Sequence, residues 1–394
     1  MTPFDPAAAT AAYLSALTPA QHAKAVAYTQ GGHWLLLWGA VVAVAVSWIV
    51  LRSGYLVRLG DWIGGGKSRP WRVAVVVLAA DAVIEAVIGL PWTIYTDWWR
   101  ETAYGLKSQP FPDWLGEWGL QFAIASVVGT LLLAGLYALM RRAPKTWWLW
   151  GGGLVGAVFV CIIVLSPVYV EPLFNKFTPA PPGPVRDMVV EMARANGVPS
   201  DKVYIYNGSK QSNRYTANVS GLFGTARVAM SDVMFKKDAD LAEVKGVVGH
   251  EMGHYVHRHS AWIAGAYGAL ALIGFFLVDR LFPLVAGAFG ARGVRGIADP
   301  AGYPVLGIIL AVLGLMSTPV RVSLTRIIEA DADHFSLERF NEPDGLAKAL
   351  VKTIEYRAAT PSKLEETLFY DHPAVGNRVR TAMDWKAAHP KPGP

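Results

Sequence analysis

Long uncharged apolar stretches constrain this 394-residue sequence more than any other feature. A helix needs roughly 20 apolar residues to cross a bilayer core of about 30 Å. Six stretches approach or reach that length, at 34–51, 73–95, 119–140, 148–170, 262–287 and 303–320. The fourth opens with tryptophans of the kind that mark membrane interfaces, Trp147, Trp148 and Trp150. The sequence therefore predicts a multi-pass membrane protein embedded in a lipid bilayer.

Composition agrees with a membrane protein and excludes other classes. Hydrophobic residues make up 53% of the chain and charged residues only 17%, whereas a soluble domain carries about 25% charged residues. The net charge of +6 comes without a dense basic run, so we expect no nucleic-acid partner. The single cysteine, Cys161, excludes an intramolecular disulfide and a zinc cluster built on cysteines.

Charge divides the chain into membrane-embedded and water-facing parts. We predict an N-terminal surface segment at 1–33 with a surface helix over 10–30, four transmembrane helices in 34–170, a water-facing domain at 171–260, two more transmembrane helices in 261–320, and the second half of the domain at 321–394. In the domain, apolar residues at helical spacing predict an amphipathic helix between Pro184 and Gly197. Residues 202–207 and 226–232 have the pattern of strands.

The segment DLAEVKGVVGHEMGHYVHRH carries residues suited to metal chemistry. Asp240, with Glu243 three residues on, predicts a capping-box-like helix start. His250 and His254 then share one helical face, where both imidazoles can reach one Zn²⁺ at about 2.0–2.1 Å. Glu251 lies about 100° round the helix from His250, beside the metal position. A general base for a metal-bound water is expected there. Three glycines that weaken this helix indicate close packing against a neighbour: Gly246, Gly249 and Gly253.

A catalytic zinc needs a third protein ligand and an open position. The segment RVSLTRIIEADADHF places Glu329 and Asp333 four residues apart on a second helix. Glu329 can bind zinc there, while Asp333 accepts the free N–H of a ligating histidine and fixes its tautomer. The alternative for Glu329, a surface acid paired with Arg326, loses favour because HEMGH is present.

Several polar residues keep two interpretations. His257 is a fallback ligand or, as we favour, a solvated or interfacial histidine, and His259 is ambiguous. Asp331 is interpreted as a surface charge. Asp81 and Glu85 share one face of the second apolar stretch, where they either line a water-filled cavity or ion path, or pair inside the helix bundle.

Several blocks of this sequence resemble, in order, the integral-membrane zinc endopeptidases of the CAAX prenyl protease type I family. They are GLPWTIYTDWWRETAYGL (89–106), PLFNKFTPAPPG (172–183), VYIYNGSKQSN (203–213), VVGHEMGH (247–254), IIEADADHF (327–335) and DHPAVGNRVR (371–380). The resemblance implies a mainly α fold, in which membrane helices enclose a chamber capped by a gluzincin-type protease domain with a small β-sheet. Asp81 and Glu85 would then line the chamber.

The resemblance also implies roles for individual residues. It makes His250, His254 and Glu329 the ligands of one Zn²⁺ per chain and Glu251 the general base. It makes Asp333 the acid that hydrogen-bonds a ligating histidine. It places His372 and Arg378 near the scissile carbonyl, where either can stabilise an oxyanion. Asn218 matches a substrate-contacting asparagine of the family.

Two departures from the family pattern bear on specificity and origin. The usual Asn-Ala-Tyr-Phe is replaced by NVSG (218–221), so the aromatic groups expected beside substrate are missing. We count six membrane helices where eukaryotic members have seven, and the long charged insertion of those members is also missing. Both indicate a compact prokaryotic relative in a bacterial inner membrane.

The side of the membrane that holds the site is predicted differently by two arguments. Basic short loops mark the cytoplasmic side, and the basic loops at 52–72 and 141–147 fall opposite the zinc domain if there are six helices. The family resemblance instead implies a cytoplasmic site, which we adopt.

Three functions remain to be weighed. The leading one is a zinc endopeptidase acting on peptide or protein substrates, prenylated or otherwise lipidated ones among them. The second is a membrane transporter that uses Asp81 and Glu85, with a structural zinc. The third is a non-catalytic zinc-bound membrane scaffold, against which the presence of Glu251 argues, because a structural site needs no base.

Overall fold

The computed structural model describes residues 4–65, 68–199, 201–212, 216–221, 225–235, 240–353 and 357–390. Within these ranges the chain is mainly helical, with one small sheet. The first eight helices are α1 (Pro6–Ser15), α2 (Pro19–Ser53), α3 (Tyr55–Gly64), α4 (Pro70–Thr93), α5 (Arg100–Ala103), α6 (Phe111–Arg142), α7 (Trp147–Leu165) and α8 (Glu171–Phe174). The other eight are α9 (Pro184–Ala195), α10 (Leu241–Val256), α11 (His259–Phe289), α12 (Tyr303–Met316), α13 (Thr318–Phe340), α14 (Pro343–Lys352), α15 (Lys363–Phe369) and α16 (Val375–Ala388).

Five helical stretches within the described residues are long and apolar enough to cross a bilayer. They are Pro19–Ser53, Pro70–Ala103, Phe111–Arg142, Trp147–Phe174 and His259–Phe289. A sixth arises if α12 and α13, which meet at a bend of 53°, form one span. Because large apolar side chains such as Val87 and Leu131 are exposed on these helices, their outer faces suit lipid. Five of the predicted apolar stretches lie within these helices, and the sixth, 303–320, crosses the bend between α12 and α13.

The N-terminal region differs from the predicted surface helix over residues 10–30. Helix α1 ends at Ser15, and α2 begins at Pro19 and runs without interruption into the first apolar stretch. The boundary expected at residue 33 therefore falls inside a helix. The cause is local: Thr18 and Gln21 form a capping box, which starts the helix well before its apolar part.

The sheet has four strands in the order β1 (Phe177–Pro179), β2 (Val203–Tyr206), β4 (Arg227–Ser231) and β3 (Ala217–Ser220). The parallel pair β2 and β4 matches the two predicted strands, while β1 and β3 pair antiparallel with β2 and β4. The predicted amphipathic helix is α9, which buries Val189 and Met192 in the core shared by the sheet and α10. Strand β3 thus forms one edge of the sheet.

Helix α10 packs against α13 and α14 at very short range, which explains its glycines. A Cβ atom added to Gly246 would lie 2.8 Å from the backbone nitrogen of Leu346. One added to Gly249 would lie 2.6 Å from the side chains of Phe340 and Ser336. The prediction of close packing is confirmed. Asp240 caps α10 through the amide of Ala242, whereas Glu243 pairs with Lys352 and forms no capping box.

The two acids of α4 lie among protein groups. Asp81 is fully buried, and neither of its carboxylate oxygens has a hydrogen-bond partner among the described residues. Glu85 accepts a hydrogen bond of 2.7 Å from the hydroxyl of Ser47 on α2. Neither acid forms an ion pair with a basic residue in the part of the chain that the structure describes, and the predicted chamber lining stays a prediction.

Candidate active site

Helices α10 and α13 bring the three predicted metal ligands together. His250 Nε2 lies 3.1 Å from His254 Nε2 and 3.2 Å from Glu329 Oε2. His254 Nε2 lies 3.5 Å from Glu329 Oε1. Two ligands 2.0–2.1 Å from a tetrahedral ion are about 3.3 Å apart, so these atoms have the spacing of a metal's coordination shell.

The surroundings of these atoms fit a divalent cation. Glu329 Oε2 is buried and makes no well-oriented hydrogen bond within the described residues, although two ring nitrogens lie near it. Burial lowers the pKa of His250, but the carboxylates of Asp333 and Glu329 outweigh burial and raise that pKa to about 9. The site therefore stabilises positive charge. Burial and the neighbouring His250 lower the pKa of His254 to about 4, which keeps that imidazole neutral, as a metal ligand must be.

Glu251 lies beside these ligands in a cleft of about 170 Å³. Burial raises the pKa of its carboxyl group to about 7, with His250 and Glu329 acting in opposite directions on it. A carboxylate whose pKa lies near neutrality can both take up and release a proton during a reaction. The cleft is also lined by Thr216, Ala217, Val247, Leu350 and Arg357.

Asp333 lies behind His250 and is itself held by Arg378. The carboxylate oxygen Oδ1 of Asp333 is 2.9 Å from His250 Nδ1, which fixes the ring with Nε2 toward the ligand cluster. Arg378, on α16, donates from Nε and Nη2 to the two oxygens of Asp333, both at 2.6 Å. This geometry makes Arg378 the support of the acid. Arg378 also lines the cleft, and its predicted place near the scissile carbonyl stays a prediction.

His372 reaches the cleft from the segment before α16. Its Nε2 lies 3.0 Å from Glu329 Oε2, and its Nδ1 lies 2.8 Å from the carboxylate of the adjacent Asp371. Arg326 holds this segment by donating hydrogen bonds to the carbonyls of Glu366 and Tyr370. The alternative pairing of Arg326 with Glu329 is therefore not formed.

Asn218 lies on the edge strand β3, paired in register with Ala229. Because side chains alternate along a strand and Ala217 and Val219 pack toward the core beneath α10, the side chain of Asn218 points to the other face. Strand β3 reaches the cleft at Ala217. Asn218 Oδ1 is buried and has no hydrogen-bond partner among the described residues, and the predicted contact with substrate stays a prediction.

Three residues form contacts that the sequence did not reveal. His259 Nδ1 lies 3.0 Å from His254 Nδ1, and His259 Nε2 lies 3.0 Å from Asp331 Oδ2. Asp331 also contacts His257 Nδ1. Asp331 is exposed, as expected of a surface charge, but it joins two histidines. His257 lies in this group rather than among the first three ligands.

Comparison with known proteins identifies the family. Residues 179–386 match the model of peptidase family M48, which covers more than half of the chain. The chain belongs to peptidase family M48. Residues 7–176 match the CAAX prenyl protease N-terminal region with its five membrane helices. This M48 peptidase is therefore an integral membrane metalloprotease of the CAAX prenyl protease 1 type, which decides against the transporter and the scaffold.

Individual relatives agree with this assignment over most of their length. The chain is 26% identical to the uncharacterized metalloprotease YhfN of Bacillus subtilis, covering 93% of this chain and 87% of that protein. It is 22% identical to CAAX prenyl protease 1 of Saccharomyces cerevisiae, covering 77% and 70%. The crystal structure of S. mikatae Ste24p superimposes with a TM-score of 0.75 at 19% identity, covering 93% of this chain and 89% of that one. The M48 peptidase shares that fold.

Proposed function

We propose that this M48 peptidase binds one Zn²⁺ through His250, His254 and Glu329 and cleaves peptide bonds of membrane-delivered substrates. The observation that carries the proposal is the convergence of these three ligands beside Glu251 in one cleft. When bound, the ion supplies a Lewis acid for the scissile carbonyl and lowers the pKa of the attacking water.

The side chains of the cleft divide the remaining work. Glu251 takes the proton from the attacking water and delivers it to the leaving amine, which its pKa of about 7 allows. His372, whose Nε2 faces the ligand Glu329, donates a hydrogen bond to the oxyanion. Asp333 and Arg378 hold His250 in place.

The peptide is held as an added strand along β3. This strand is an edge of the sheet and lines the cleft at Ala217. Its outer backbone groups, which pair with no other described strand, can bond an extended substrate. The backbone groups of Ala217 and Val219 face the outer side, because Asn218 lies in a hydrogen-bonded pair with Ala229 of β4. Asn218 contacts the substrate through its side chain. We take lipidated peptides as the substrate class because relatives from yeast and human are named CAAX prenyl proteases. The sequence NVSG at 218–221 favours a looser requirement for the lipid.

Cleavage of a matched peptide pair tests this function. A quenched farnesylated CAAX peptide and its unlipidated twin are incubated with the detergent-purified protein, with and without a zinc chelator. We expect chelator-sensitive cleavage, faster for the farnesylated peptide, and none by Glu251→Gln although that variant retains zinc. Cleavage by Glu251→Gln at the wild-type rate would refute the role of the base. Equal cleavage of both peptides would refute lipid selectivity.

We place the site on the cytoplasmic side of a bacterial inner membrane. Helix α16 belongs to the protease domain and contacts α13, so the end of this helix reports the side of the site. An alkaline phosphatase fused after α16 should be inactive in bacterial cells, because the enzyme needs the periplasm to form its disulfides. An active fusion would put the site outside.

A further inference from the structure

A second group of ligand-type side chains lies next to the proposed zinc site. His257 directly follows α10 as its C-cap, His259 begins α11 and Asp331 is on α13. Asp331 Oδ2 contacts both His257 Nδ1 and His259 Nε2. One ligand atom from each residue lies within 4.8 Å of the others, as for the first group.

The backbone between α10 and α11 sets this geometry. Arg258 adopts a left-handed conformation with φ of 55°, which is strained for a residue with a Cβ atom. This turn brings the histidines on either side of Arg258 to one acid. The side chain of His259 is 6% exposed, whereas those of His257 and Asp331 are 40% and 47% exposed. An ion could therefore enter from solvent and keep water ligands on the open side.

We propose that His257, His259 and Asp331 form a second divalent-cation site that inhibits the peptidase when filled. Two imidazole nitrogens and one carboxylate oxygen are donors that suit Zn²⁺ and neighbouring transition-metal ions. None of the three residues belongs to the first ligand set. The inhibitory part rests on the proposed function, whereas binding of the ion does not.

The contact between His254 and His259 couples the two sites. When His254 binds an ion through Nε2, its Nδ1 carries hydrogen and donates to His259 Nδ1, 3.0 Å away. His259 then carries hydrogen on Nε2 and donates to Asp331. An ion on His259 Nε2 displaces that hydrogen, so His259 must carry hydrogen on Nδ1 and two N–H groups face each other. One ring must turn, which disturbs His254 in the first site.

Zinc stoichiometry tests the second site directly. The chelator-stripped full-length protein is dialysed against increasing ZnCl₂, and bound zinc is measured by mass spectrometry. We expect two equivalents for the wild type and one for each of three variants: His257→Ala, Asp331→Asn and Glu329→Gln. The control His334→Ala, which removes an exposed histidine on α13, should keep two equivalents. Saturation of the wild type at one equivalent, or two equivalents in both His257→Ala and Asp331→Asn, overturns the proposal.

Inhibition by excess zinc tests the coupling. We expect peptide hydrolysis by the wild type to fall as the second equivalent binds, and His257→Ala to need at least about tenfold more zinc for the same loss. Equal zinc sensitivity of the two proteins would overturn the inhibitory role. A wild type that binds two equivalents but never cleaves peptide would count against the proposed function and leave the second site supported. Thermal melts of the variants verify that they are folded.

Discussion

Arg378 donates two hydrogen bonds of 2.6 Å to Asp333, and this pair is buried behind the proposed metal ligands. Since Asp333 in turn lies 2.9 Å from His250 Nδ1, an arginine near the C-terminal end of the chain orients a histidine on α10. The proposed zinc site therefore depends on α10, α13 and α16 together.

Arg378→Ala should weaken zinc binding without removing any ligand. Asp333 would lose its fixed orientation, and loss of such a supporting residue lowers metal affinity by about 10–100-fold. Competition with a chromogenic chelator measures the change. Arg380→Ala is the matched control, because Arg380 forms an exposed pair with Asp384 on the same helix. Unchanged zinc affinity in Arg378→Ala would contradict the role assigned to the arginine.

His372→Ala should lower kcat by about 10²-fold while zinc content and KM stay near their wild-type values. The reason is that an oxyanion donor acts on the transition state more than on bound substrate. Steady-state kinetics with the farnesylated peptide, together with metal analysis, provide both readouts. His389→Ala, an exposed histidine stacked on Trp385, serves as the control. A variant that loses zinc and activity in parallel would assign His372 to metal binding instead.

The cluster of His250, His254 and Glu329, our proposed metal ligands, could be predicted from the sequence because the spacing of its residues is local. His250 with His254, and Glu329 with Asp333, are each four residues apart on one helix, so helical geometry alone puts each pair on one face. The position of Glu251 beside these residues follows from the same helical geometry, because Glu251 is the residue next to His250. The helix carrying these histidines has the glycines that its close contact with α13 requires.

Contacts that depend on how helices cross could not be predicted in the same way. The approach of His259 to His254 requires the left-handed turn at Arg258, and no residue type in that turn signals it. The link from Arg378 to Asp333 joins residues on separate helices, which only the packing of α16 brings together. Thr18 and Gln21 did signal the early start of α2. A prediction based on hydropathy finds only the apolar part of that helix and so places its start too late.

Arg326→Ala should reduce activity by releasing the segment that carries His372. Arg326 Nη1 donates to the carbonyls of Glu366 and Tyr370, at 2.6 and 2.5 Å, and each such charged bond contributes about 1.5–3 kcal/mol. We expect a loss of about tenfold in kcat with zinc retained, and faster amide hydrogen exchange before α16. Arg321→Ala, which removes bonds confined to the α12–α13 bend, should leave that exchange unchanged. Unchanged exchange in Arg326→Ala would contradict the restraint.

Gly246→Ala should destabilise the protease domain by about 1–3 kcal/mol through overpacking. The new Cβ atom would lie 2.8 Å from the backbone nitrogen of Leu346 and 2.9 Å from its Cα, so α10 and α14 must move apart. Gly265→Ala in α11 is the matched control, since nothing lies within 4 Å of its added Cβ. Alanine there should be neutral or should stabilise the helix by up to about 1 kcal/mol. Thermal unfolding in detergent, followed by tryptophan fluorescence, compares the two. Equal melting temperatures would show that α14 can move away from α10 without loss of stability, and Gly246 of α10 would then need another explanation.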